Sequence, residues 1–241
     1  MNSWQQNQQA LRQHLAQDSL DNLLAWSTVR KTMYVGYGAE YMPYEYQTLK
    51  DDWAKWMPVV RWAGLGADAH HAGDGYASDP NLVHQAYHLL QWLDRTQQDI
   101  TTMRSIVEFG AGYGAMALVC HRLGFRGLYY IIDLPELVTL QRYFLGHTLP
   151  DLKRVFWLQS QPLSSMNVDL FIACHSLCEI PIIDRERLLA TVTSEEYLFV
   201  SGYEFEGVDN YKWFSGLDAV EGYRWSLYPH RENAFYMVGV K

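Results

Sequence analysis

From Met103 onward the chain alternates short apolar segments with helical stripes, and that rhythm leaves few folds open. Residues 105–109 (SIVEF) form an apolar strand that ends in a glycine-rich turn and runs into a helix over AMALVCHRLG. Residues 128–133 (LYYIID) make a second strand, followed by a helix over LPELVTLQRYFLG. VFWLQ (155–159) and VDLFIAC (168–174) read as the third and fourth strands. A helix at about 182–190 leads to YLFVSG (197–202), and YRWSLYPH (223–230) with AFYMVGVK (234–241) closes the chain as a hairpin. Apolar strands separated by helices specify a parallel sheet covered on both faces. The expected fold is therefore α/β and Rossmann-like, with an antiparallel strand near one edge.

The first hundred residues have a different texture. Residues 8–30 carry a helical stripe, YVGYGAEYMPYEY (34–46) is aromatic and broken by glycine, and 61–79 reads as a long loop. Asp79-Pro80 starts a helix over 80–98. The expected division is a helical and aromatic cap over 1–100 and a ligand-binding domain over 101–241. Hydrophobic residues at 49% against 19% charged exclude a disordered chain. A net charge of −8 without a basic stripe argues against nucleic acid as partner. No apolar run reaches the roughly 18 residues of a spanning helix, and the N-terminus has no secretory h-region. Three cysteines in apolar settings, Cys120, Cys174 and Cys178, fit reduced thiols and a cytoplasmic location. Aromatic residues at 15% exceed what a core needs, and part of the surplus reads either as cavity lining or as interface and half-buried surface.

The sharpest motif is Glu108-Phe-Gly110-Ala111-Gly112-Tyr-Gly114, where the first strand meets its helix. Glycines let a backbone turn tightly, and the helix behind it offers N–H groups to a polar ligand. Two ligand classes fit. Gly110-x-Gly112-x-x-Ala115 satisfies the dinucleotide fingerprint in its Gly/Ala form. The acidic-x-Gly-x-Gly-x-Gly pattern fits S-adenosyl-L-methionine. Glu108 favours the second, because a carboxylate there meets a methionyl ammonium but repels a pyrophosphate. Asp133, at the end of the second strand, fits a ribose diol in either case, or an N-cap. Gln159 stands where an adenine edge is contacted.

Residues 105–203 resemble a class I S-adenosylmethionine-dependent methyltransferase. IVEFGAGYGAMA, YYIIDLPELVTLQRYFL and VDLFIACHSLCEIP are similar to the sugar O-methyltransferase family, as is VGYGAEY upstream. The resemblance implies strand order 3-2-1-4-5-7-6, a helical N-terminal cap, and donor binding by Glu108, Gly110, Ala111, Gly112, Gly114, Asp133, Leu134 and Gln159. It also implies a small, sugar-containing acceptor, with a homo-oligomer compatible with the chain.

Methyl transfer to oxygen needs the acceptor aligned and deprotonated. His175 follows the fourth strand, and its imidazole suits base work near neutral pH. Glu179, one turn on, orients it or binds a hydroxyl. Tyr203 and Glu204 head the loop beyond the fifth strand and, with Tyr37 and Tyr41 of the aromatic stretch, suit an acceptor that has hydroxyls and a stackable face. No metal is expected: Cys174, His175 and Cys178 lack a second ligand pair, His70, His71 and Asp74 are weak candidates for Mg²⁺, and His84 with His88 is read as surface or cap packing. His230 is expected to lie too far along the sheet to act as a base. The rival readings are a nicotinamide-dinucleotide-dependent oxidoreductase and a non-catalytic S-adenosylmethionine-binding module.

Overall fold

The computed structural model describes residues 3–36, 38–65, 70–71, 76–158, 163–231 and 233–241. These residues divide into two compact units. One comprises Met1–Tyr87, Gly112–Gly124 and Leu134–Leu152; the other comprises His88–Ala111, Phe125–Asp133 and Lys153–Lys241. The two helices that leave the first two sheet strands group with the N-terminal helices, while the second half of the helix over Pro80–Thr96 groups with the sheet.

The second unit carries a seven-stranded sheet: β1 (Ser105–Phe109), β2 (Leu128–Ile132), β3 (Val155–Leu158), β4 (Met166–Cys174), β5 (Val192–Gly202), β6 (Arg224–Arg231) and β7 (Ala234–Val240). Its order across the sheet is 3-2-1-4-5-7-6. Strands β3, β2, β1, β4 and β5 run parallel, and β7 is antiparallel to both β5 and β6. The parallel strands are nearly continuous apolar runs, as burial on both faces demands. Asp169 ties the start of β1 to β4 by accepting from the backbone N–H groups of Arg104 and Ser105. Phe171, Phe199, Phe214, Phe235 and Met237 centre the core, with ring pairs at edge-on or tilted angles.

β5 is longer than the sequence predicts. Its first half, Thr193-Ser-Glu-Glu196, is too polar to read as a strand, yet Ser194 and Glu196 are buried and Ser194 Oγ donates to the Val168 and Glu196 carbonyls. The hairpin β6–β7 contains a slip: Pro229 faces Phe235 and Arg231 faces Ala234, so His230 is the extra residue of a bulge.

The first unit holds α1 (Ser3–Gln17), α2 (Ser27–Thr32), α3 (Met42–Lys50), α4 (Trp53–Val60) and the first half of α5 (Pro80–Thr96). It also holds α6 (Ala115–Arg122) and α7 (Pro135–Thr148). Arg12 Nε donates to Glu136 Oε1 at 2.6 Å, linking α1 to α7. Arg122 Nη1 donates to the carbonyls of Val59 and Arg61 at 2.9 and 2.6 Å, linking α6 to the end of α4. These cross-links explain why α6 and α7 belong with the N-terminal helices. Among the described residues no helix is long and apolar enough to cross a membrane.

Candidate active site

The glycine loop starts at the carboxyl end of β1 and passes from the sheet unit into the helical unit between Ala111 and Gly112. Gly110, Gly112 and Gly114 all take positive φ, at 71°, 58° and 103°. At Gly110 the need for glycine is also steric: an added Cβ would stand 2.3 Å from Ser176 Cβ. Ser176, just after β4, donates its hydroxyl to the Phe109 carbonyl, and Gly110 N donates to Ile132 O at 2.9 Å. The absence of a Cβ at Gly110 is thus required by internal packing, besides whatever it gives a ligand. On the helical side, Gln141 Nε2 donates to Gly112 O at 2.9 Å and Asn81 Nδ2 donates to Tyr113 Oη at 2.8 Å. Both halves of the loop are therefore held before any ligand arrives.

Glu108 lies in β1 opposite Ile131 of β2 and Ile172 of β4, with 4% of its surface exposed. Tyr129 Oη donates to Glu108 Oε2 at 2.7 Å. Burial pushes the carboxyl up to about 8; the Tyr129 bond opposes this, and the charge of Asp133 adds to it. No cation contributes at Glu108 among the described residues. Asp133 stands one residue before Leu134, which occupies the N-cap position of α7 with no side-chain cap. Asp133 carries a second carboxyl close enough to Glu108 for their charges to interact.

The loop after β4 carries His175 and Glu179. His175 has φ +58°, a conformation that non-glycine residues adopt at a cost and that concentrates at functional sites. Its N–H donates to Val200 O at 2.8 Å. Glu179 closes the 3-10 turn Leu177–Glu179 and is half-buried. Arg185, 1% exposed, clamps this turn by donating to the carbonyls of Cys178 and Ile180 at 2.7 and 2.9 Å. Tyr203 is 37% exposed and stacks on Tyr211 with ring centroids 5.6 Å apart; Glu204 pairs with Asp209 in a two-residue hairpin. Tyr41 precedes α3 in the helical unit, its ring 5.3 Å from that of His84. Tyr37, Gln159 and Asp74 lie outside the described residues.

His84 and His88 are 3% and 0% exposed, so of surface or cap packing only packing inside the fold describes them. His230 is drawn by its bulge to a ring distance of 5.1 Å from His88, whose ring is 6.1 Å from that of His175. Sequence reasoning also missed Tyr129 and Ser176, because their contacts depend on strand register and on a loop meeting a loop. Burial pushes the Cys178 thiol up to about 11, so the free side chain is a protonated, weakly reactive thiol. Cys178 should accordingly resist Ellman's reagent at pH 8 in the folded protein and react only on unfolding; rapid labelling of the native state would contradict this.

The aromatic surplus has a second address. A cleft of about 920 Å³ in the sheet unit is lined by Tyr197, Trp213, Tyr223 and Trp225, with Asp209 and Lys212. Glu108, Gly110, Asp133, His175 and Glu179 do not line it.

The chain matches no family model and no curated protein. Solved structures do align with it. The glycopeptide N-methyltransferase MtfA superimposes with a TM-score of 0.52 at 14% identity, over 65% of this chain and 90% of that one. The methyltransferase domain of bacterial CtHen1 gives a TM-score of 0.51 at 10% identity, over 65% of this chain and 97% of that one. The fold is that of the Rossmann-like class I methyltransferases. At these identities the likeness concerns architecture alone.

Proposed function

We propose that this protein is an S-adenosylmethionine-dependent methyltransferase that methylates a hydroxyl of a sugar or another polyhydroxylated small metabolite. The observation that carries the reading is Glu108: a buried carboxyl beside the glycine loop, with a second carboxyl nearby and no cation facing it among the described residues. Such a place fits a ligand with an ammonium group and a ribose diol. Once ionised it opposes a pyrophosphate while pairing with an ammonium, so the dinucleotide reading is disfavoured. Glu108, the loop from Gly110 through Ala111 and Gly112 to Gly114, Asp133 and Leu134 hold the donor in this reading, with Gln159 at the adenine. Bound there, the donor supplies a methyl group already activated on a sulfonium.

The chain's own work is then to bind, orient and deprotonate. His175 takes the proton of the acceptor hydroxyl, and its φ of +58° is strain of the kind a site retains for a purpose. Glu179 orients the imidazole or accepts from a neighbouring hydroxyl. Arg185 fixes the turn that carries Glu179. Tyr203 and Glu204 offer a ring face and a carboxylate to the acceptor. The sugar hydroxyl rests on the resemblance of HSLCEIP and IDLPEL to the sugar O-methyltransferase family and on these side chains.

The test supplies methyl-labelled donor with a panel of glycosides and polyols, and follows label into product. His175→Ala is expected to lower kcat by about 100-fold or more, within the range of general base catalysis. Turnover unchanged in His175→Ala and Glu179→Gln contradicts the assignment of these residues. Binding of donor without turnover on any acceptor points to the non-catalytic module. Asp133→Ala is expected to weaken S-adenosylhomocysteine by about 1–3 kcal/mol through lost hydroxyl contacts; unaltered affinity by calorimetry removes Asp133 from the donor site.

A further inference from the structure

His88 belongs to the part of α5 that groups with the sheet, and it is fully buried. Its Nδ1 lies 2.7 Å from Tyr236 Oη on β7. An imidazole that donates its Nδ1–H to such an oxygen has its ring fixed and its Nε2 lone pair as the ligating atom, the arrangement common at metal-binding histidines. His230 approaches from the neighbouring strand. It is the extra residue of the β6 bulge, and bulges re-aim side chains next to sites. Its ring stands 5.1 Å from that of His88 at 72°, and 4.9 Å from that of Tyr236. One ring nitrogen of His230 and one of His88 lie within 4.8 Å of each other.

The bulge turns a half-buried histidine, on a strand otherwise paired in register, toward the fully buried His88. Neutral imidazoles suit Zn²⁺, Co²⁺ and Ni²⁺, whereas Mg²⁺ and Ca²⁺ seek oxygen. Two nitrogens on one tetrahedral zinc stand about 3.3 Å apart, given bonds of about 2.0–2.1 Å. Side-chain rotation of roughly 1.5 Å closes the present gap to that distance.

We propose that His88 and His230 form a binding site for a divalent transition-metal ion, with Tyr236 as the positioning residue behind His88. The site departs from the expectation of no metal, and it stands whether or not the protein transfers methyl groups.

The test uses the full-length protein after treatment with a chelator. ZnCl₂ is titrated by calorimetry and CoCl₂ by its visible absorption. The expected result is one ion per chain. His88→Ala and His230→Gln should each weaken it by 10-fold or more, and Tyr236→Phe by about 10-fold. His147→Ala, at an exposed histidine of α7, should leave it unchanged. If His88→Ala fails to fold, His230→Gln on the edge strand and Tyr236→Phe carry the test. No saturable binding to the unmodified protein, or affinity unaltered in both of those variants, overturns the proposal.

Discussion

Glu108→Gln is expected to produce a protein that is more stable than the parent at pH 9 and yet binds S-adenosylhomocysteine about 10–100-fold more weakly. Both effects come from one buried carboxyl. Glu108 sits near pKa 8 in the fold against 4.5 when solvated. The folded state therefore favours the protonated form. That contribution is fully present below about pH 4.5 and is lost as pH rises through 8. The parent should lose up to about 4–5 kcal/mol across this window from this group alone, taking about 1.4 kcal/mol per unit. Gln keeps the shape and stays neutral, so thermal melts of the variant should lack the decline. A ligand ammonium pairs with the ionised carboxylate, and a charge-assisted bond of this type is worth about 1.5–3 kcal/mol. Affinity of the parent should climb from pH 6 to 8 as Glu108 gives up its proton, and that slope should vanish in the variant. Parallel melting curves for the two proteins from pH 5 to 9 would show that Glu108 is not protonated in the fold.

The second large effect concerns Gly110. Gly110→Ala places a methyl 2.3 Å from Ser176 Cβ and holds a β-carbon at φ +71°. Strain of this kind and overpacking against backbone-linked atoms each cost about 1–3 kcal/mol, so a loss of about 2–6 kcal/mol is expected by denaturant unfolding. Ser176→Gly removes the opposing Cβ and should recover the packing share in the double variant, leaving the φ share. The two changes should therefore couple strongly. Additive losses would mean that Ser176 does not press on the loop.

The sheet was legible because parallel strands buried on both faces read as apolar runs, and because a glycine turn marks where the first one ends. β5 was only half legible: Thr193-Ser-Glu-Glu196 carries its polarity inside, where the single Ser194 hydroxyl proton is shared between the Val168 and Glu196 carbonyls. The division into units was hidden for another reason. Arg12 on Glu136, and Arg122 on the carbonyls of Val59 and Arg61, are contacts between distant segments that no periodicity announces. At the site, Glu108 and the glycines were readable from spacing, and Asp133 from its strand end. Tyr129 reaches Glu108 only through the β1–β2 register. His230 reads as remote because a strand counted in regular steps gives no sign of the bulge that turns it toward His88.

Whether the Glu108–glycine loop–Asp133 region binds a methyl donor is decided by calorimetric titration of the purified protein with S-adenosylhomocysteine and, separately, with NADH. Saturable binding of one S-adenosylhomocysteine per chain and none of NADH is expected; saturable NADH binding, or no binding of S-adenosylhomocysteine at all, would overturn the proposed donor site.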